Sequence, residues 1–143
     1  MNLSKNLLFS RSAGASAAGI TEVNGAAVDM AGWDGVVFIV HIGAVVAGGV
    51  QSLSADQGST SSPTDALKGS KVVIADNEDN NIFLLDIFRP TKQWLRPTIN
   101  KATQNSTVEA ILAIRYRGIA APVTVDATLK NSKLLITPAE GAI

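Results

Sequence analysis

Short runs rich in β-branched and aromatic residues recur roughly every 10 to 15 residues along this chain, each bounded by Gly, Pro, Asn, Asp or Ser. No long segment carries the 3.6-residue period of an amphipathic helix. The pattern predicts about eight or nine short strands joined by polar turns, and so an all-β domain: an antiparallel β-sandwich, a jelly roll or a barrel.

The strongest strand is Gly35 to Ile42, GVVFIVHI. It is β-branched and aromatic and apolar on both faces, which places it centrally in a sheet. Further strands are expected at Ile20–Val28, Val45–Ala55, Lys71–Ala75, Ile82–Phe88, Trp94–Ile99, Val108–Tyr116, Pro122–Leu129 and Lys133–Thr137. Asn24-Gly25 suits either a type I′ hairpin turn or a bulge within one strand. A second bulge is expected near Gly48-Gly49. Gln57 to Lys68 reads as a loop in which Ser61 to Asp65 opens a single helical turn. Asp76 to Asn81 reads as a polar turn.

The stretch Leu84 to Arg117 contains Arg89-Pro90 and Arg96-Pro97. Proline cannot donate to a ladder, so each Arg-Pro is expected at a strand end, an edge or a corner. Residues 1–18 are rich in Ser, Ala and Asn and should be flexible in isolation. The small cluster Leu7-Leu8-Phe9 within them suits an arm that orders on a neighbouring subunit. The expected organisation is an N-terminal arm (1–18), a β-domain (19–124) and a C-terminal extension (125–143) that forms a hairpin or a second arm.

Length and composition narrow the function. A chain of 143 residues suits one domain. Charged residues are only 17% and the formal net charge is +0. A dedicated nucleic-acid binder usually shows a basic excess, so nucleic acid is not an expected partner. Neutrality also removes long-range repulsion between copies. There is no cysteine, hence no disulfide framework. No apolar run is long enough to span a bilayer, and the first residues lack a signal-peptide core, so no membrane association is expected and synthesis is expected in the cytosol.

No catalytic, cofactor or metal site can be named. His41 is the single histidine and lies inside a strand between Val40 and Ile42, which suits a core or interface position better than a triad. Asp76, Glu78 and Asp79 are dense in oxygen ligands but lack calcium-loop spacing. Asp29 and Asp34 fit turn chemistry. The glycines at 43, 48 and 49 are followed by neither a lysine nor a helix signal, unlike a phosphate loop. Arg89, Lys92, Arg96, Lys101, Arg115 and Arg117 gather near Trp94 and Tyr116. Arginine and aromatic residues are enriched at protein interfaces. The expected interface residues are therefore Leu7, Leu8 and Phe9 in the arm and Arg89, Lys92, Trp94 and Arg96 at the corners. Trp33 is assigned to core packing.

The segments AAVDMAGWDGVVFIVHIGAV (Ala26 to Val45), Asp56-Gln57-Gly58 read as a polar loop, and LLDIFRPTKQWLRPTI (Leu84 to Ile99) resemble small structural proteins of tailed bacteriophages, in particular the capsid decoration, or cement, proteins. The resemblance spans about Asn24 to Gly118, and Asp86 to Pro97 is its most distinctive part. It implies a β-sandwich or barrel bound to the outer capsid lattice, with the major capsid protein as partner, a homo-oligomer, often a trimer, and no enzymatic activity or cofactor. It implies a place in the virion. Other virion parts (a head–tail connector, a tail or fibre-associated β-protein) and a ligand-binding jelly-roll module are the alternatives.

Overall fold

The computed structural model describes residues 2–119, 122–124, 126–132 and 134. Among these residues, one helical turn, α1 (Leu3–Asn6), precedes eleven strands. These are β1 (Leu8–Ala13), β2 (Ser16–Gly19), β3 (Val23–Asn24), β4 (Val28–Asp29), β5 (Gly35–Val45), β6 (Val50–Gly58), β7 (Asp65–Ala66), β8 (Val72–Ile74), β9 (Ile82–Phe88), β10 (Trp94–Ala102) and β11 (Ser106–Tyr116).

The strands form two antiparallel sheets packed face to face, an all-β sandwich. Several short strands are pieces of longer ones. β1 and β2 pair with opposite halves of β11. β3 and β4 pair likewise along β10, and β7 and β8 along β6. Joining these pieces leaves four strands per sheet. Sheet A runs β1/β2–β11–β5–β9, and sheet B runs β3/β4–β10–β6–β7/β8. Numbered along the chain, the eight joined strands are ordered 1-8-3-6 and 2-7-4-5. That is the order of a jelly roll, two interlocked Greek keys in a double sheet.

The core lies between the sheets. β5 contributes Val36, Phe38, Val40 and Ile42, all fully buried. They face Leu53 on β6 and Leu95 and Ile99 on β10, also fully buried. The strand expected from GVVFIVHI is central: β5 lies between β11 and β9.

Arg89-Pro90 forms a corner as expected. β9 ends at Phe88, and the Arg89 N–H donates to the Asp34 carbonyl at 2.7 Å. Arg96-Pro97 does not. It lies inside β10, with Pro97 buried and paired opposite Ala55. Its missing donor is tolerated because the ladder on that side is already broken. The register of β10 shifts by one residue between Asn24↔Thr98 and Val28↔Leu95, so residues 23–29 form one strand bulged near Gly25. The Gly25 N–H donates to the Pro97 carbonyl at 2.9 Å. A Cβ at Gly25 would lie 2.8 Å from Pro97 Cγ and overlap Ser12 Oγ. Close approach of three chain segments thus requires glycine here.

Other expectations change. Much of the 1–18 segment is held on the domain as α1, β1 and β2 rather than free. Its small residues carry little apolar payload, but the edge of β11 supplies backbone partners. Asp56 to Gly58 belongs to β6, not to a loop. Ser61 and Ser62 form a bend, and Pro63 and Thr64 lead into β7 at Asp65, with no helical turn. Gly48-Gly49 ends a turn between sheets, closed by Gly49 N–H to Val46 O at 3.0 Å, rather than a bulge. The described residues of Pro122–Leu129 hold a turn, Leu129 N–H to Asp126 O at 3.0 Å, and no strand. Lys133–Thr137 lies, apart from Leu134, outside the described residues.

Candidate interaction surface

The two outer faces of the sandwich differ in chemistry. Sheet B follows the usual rule for a half-buried antiparallel sheet, apolar inside and polar outside. Several of its outward residues are partnered to one another, although exposed Val50 and Val73 and half-buried Trp94 share this face. Arg96 pairs with Asp56 at 2.7 Å, Asn100 donates to Ser54 Oγ at 2.8 Å, and Thr98 donates to Asn24 Oδ1 at 2.8 Å.

Sheet A breaks the rule. Cross-strand registers set two outward rows, Arg11–Leu112–Ile39–Leu84 and Phe9–Ile114–Val37–Asp86. Beside them lies Ala110–His41–Ile82. Most of these side chains are aliphatic. Ile82 is 70% exposed, Leu84 55% and Leu112 43%. The cause is in the strands themselves, because β5, β9 and β11 are apolar at residues of both parities while the inner face alone meets sheet B. His41, expected in the core or an interface, is exposed on this outer side. On the β1 side, Thr128 and Leu129 border a cleft lined by Phe9, Leu112 and Ile114, and Thr128 Oγ1 accepts the Arg11 N–H at 2.9 Å. The adjacent Asp126 carboxylate is held below its usual range, chiefly by the Thr128 hydroxyl, with Arg115 adding to the effect against some burial.

One end of this face carries an aromatic and cationic corner. Tyr116 on β11 lies over Gly35 on β5, where any Cβ would overlap its ring. Its hydroxyl reaches Asp86 on β9 at 2.6 Å. Burial, then the hydrogen bond to Asp86, pushes the Tyr116 phenol up to about 12. The Tyr116 and Phe88 rings are near parallel, with centroids 6.5 Å apart. The guanidiniums of Arg89 and Arg117 lie 5.1 and 5.7 Å from the Phe88 ring. Arg117 also pairs with Asp34 at 3.2 Å. Inside the same end, Arg115 donates to the Asp29 carbonyl at 2.8 Å and lies 5.8 Å from the Trp33 ring. Burial draws the Arg115 guanidinium below its usual value, and Asp126 and Asp29 oppose that.

The residues expected at an interface divide between the sheets. Phe9 belongs to the apolar face and Arg89 to its cationic corner. Leu8 lines a cleft with Trp33, Ile119 and Val123. Leu7 caps α1 and is half-buried. Lys92 is ion-paired to Asp65 and Arg96 to Asp56. Trp94 is half-buried on the outer face of sheet B, opposite Gly58. These seven do not converge. The aliphatic face is built instead from Leu84, Leu112, Ile39 and Ile82, which the sequence reading did not single out although they carried a signal: their strands are apolar on both faces. Trp33 packs partly against the core, as assigned.

Among the described residues no group of three or more acidic or histidine side chains is placed to hold a metal ion. The acidic run serves its turn. Asp76 accepts the Gly48 N–H at 2.5 Å, and Glu78 accepts the Ala75 N–H at 2.7 Å. In comparisons with known proteins, the chain matches no family and no curated protein.

Proposed function

We propose that this chain is a structural virion protein that decorates the outer surface of a phage capsid and stabilises contacts between capsid subunits, without enzymatic activity of its own. The observation that carries the reading is the outer face of sheet A. A sheet face of this extent, left aliphatic where the outer face of sheet B is mostly polar, is the kind of surface that protein covers in an assembly. Two further features support it. The jelly-roll order is one that viral capsid domains use, as do lectins and cupins. The wording of Leu84 to Ile99 resembles phage decoration proteins. The lectin reading is weaker, because the Trp33 ring is already packed against Arg115 and Gly118 and offers no free sugar platform.

Repetition on a lattice turns modest contacts into firm attachment through avidity. Capsids prepared without this protein should bind the full-length chain saturably in co-sedimentation and resist heat better once coated. A folded protein that neither sediments with capsids nor changes their stability overturns the proposal. Electron microscopy of labelled particles separates decoration, with label over the head, from a connector, tail or fibre role, with label at one vertex or along the tail.

A further inference from the structure

We infer that the outer face of sheet A is covered by the same face of a second copy of this chain, giving a twofold dimer packed sheet on sheet. The inference concerns what meets this face and does not require the capsid.

The first ground is complementarity. An aliphatic sheet face needs an aliphatic counterpart. Among the described residues, the other broad face of the molecule, on sheet B, is mostly hydrogen-bonded and ion-paired within itself, and its apolar Val50, Val73 and Trp94 are interspersed with the polar pairs Ser52–Asn100, Ser54–Thr98 and Asp56–Arg96 rather than forming continuous aliphatic rows. The matching surface on a second copy is therefore the same face, and a patch that meets itself generates a twofold axis.

The second ground is where the charges lie. In the two central rows, the inner strands β11 and β5 carry only Leu112, Ile39, Ile114 and Val37. The charged residues, Arg11 and Asp86, stand on the lateral strands β1 and β9. Asp86 is already engaged by Tyr116. Two copies stacked centre over centre bury the aliphatic middle and leave the charges at a polar rim, the usual anatomy of an interface. The net charge of +0 adds no long-range repulsion.

The third ground is area. Four strands about 4.8 Å apart, each presenting about seven residues at about 3.3 Å, give a footprint of roughly 440 Å² per copy. The accessible surface of protruding side chains exceeds that projection, so a pair buries on the order of 1,000 Å², the lower end of specific interfaces.

The test is the mass of the purified full-length chain at micromolar concentration, by light scattering coupled to gel filtration. The expected result is twice the 14.8 kDa chain mass, with Leu112→Arg monomeric and Asn100→Lys still dimeric. Because the chain has no cysteine, a single Ile39→Cys on the face should be crosslinked between copies by a short bismaleimide, and Asn100→Cys on sheet B should not. That arm stays decisive if Leu112→Arg fails to fold. A wild-type monomer, a trimeric mass, or crosslinking through Asn100→Cys but not Ile39→Cys overturns the inference. So does a monomer that dimerises only when residues 133–143 are removed, since the chain's own end then occupies the face. A monomer that binds capsids and loses binding in Leu112→Arg assigns the face to the capsid, which overturns the dimer and leaves the proposed function standing.

Discussion

The Tyr116 hydroxyl donates to the Asp86 carboxylate at 2.6 Å, reaching from β11 to β9 across the strand that separates them. Gly35 on that middle strand makes the crossing possible, because any larger residue would occupy the space of the Tyr116 ring. One bond therefore laces three neighbouring strands of sheet A at the end where Arg89 and Arg117 flank Phe88.

This relationship has a pH signature. The phenol is raised from 10.0 to about 12, first by burial and then by Asp86. A raised acid is one whose neutral form the fold favours. Its stabilising contribution is complete below pH 10 and is lost as pH rises through 12. Tyr116 is the single tyrosine, so its phenolate absorbance can be followed without interference. The native midpoint should lie near 12. In Asp86→Asn it should fall toward 10 but stay above it, since burial remains. A native midpoint at the ordinary tyrosine value would contradict the geometry.

Gly25→Ala should destabilise the fold by about 1–3 kcal/mol, the usual cost of overpacking, since the new methyl meets Ser12 and Pro97. Chemical denaturation followed by tryptophan fluorescence measures it. A variant as stable as the wild type would mean that the β3–β4 bulge relaxes freely.

Removal of residues 1–13 should lower the melting temperature by several degrees, on the scale of about 3–4 °C per kcal/mol for a domain near this size. The deletion strips β1 from β11 and leaves backbone donors and acceptors of β11 unpaired. Calorimetry decides between this and a free arm, whose loss would leave the transition where it was.

The strand positions were legible in the sequence where the signal was local. Ile82–Phe88 forms one strand over its whole expected length, and GVVFIVHI is central because its inward Val36, Phe38, Val40 and Ile42 fill the core. What was not legible depends on partners far along the chain. Pro97 reads as a strand end until the bulge at Gly25, over seventy residues earlier, removes the need for its donor. The small residues of β2 read as flexible until β11 offers an edge. Lys92 and Arg96 read as free interface cations until Asp65 and Asp56 are brought beside them. The surface itself was half legible. Strands apolar on both faces announce two buried sides, yet only the topology shows which side this chain buries and which it leaves exposed.

That division of the two faces is tested most directly by solvent access in the assembled protein. Leu84→Cys and Asn100→Cys introduce one thiol each into a cysteine-free chain, on the outer faces of sheets A and B respectively. In the assembled state the thiol at position 84 should react with a maleimide at least about tenfold more slowly than the thiol at position 100, a ratio equivalent to about 1.4 kcal/mol of protection, and the two rates should converge in denaturant. Equal rates in the native assembly would show that sheet A's outer face stays open to water, and would contradict the account.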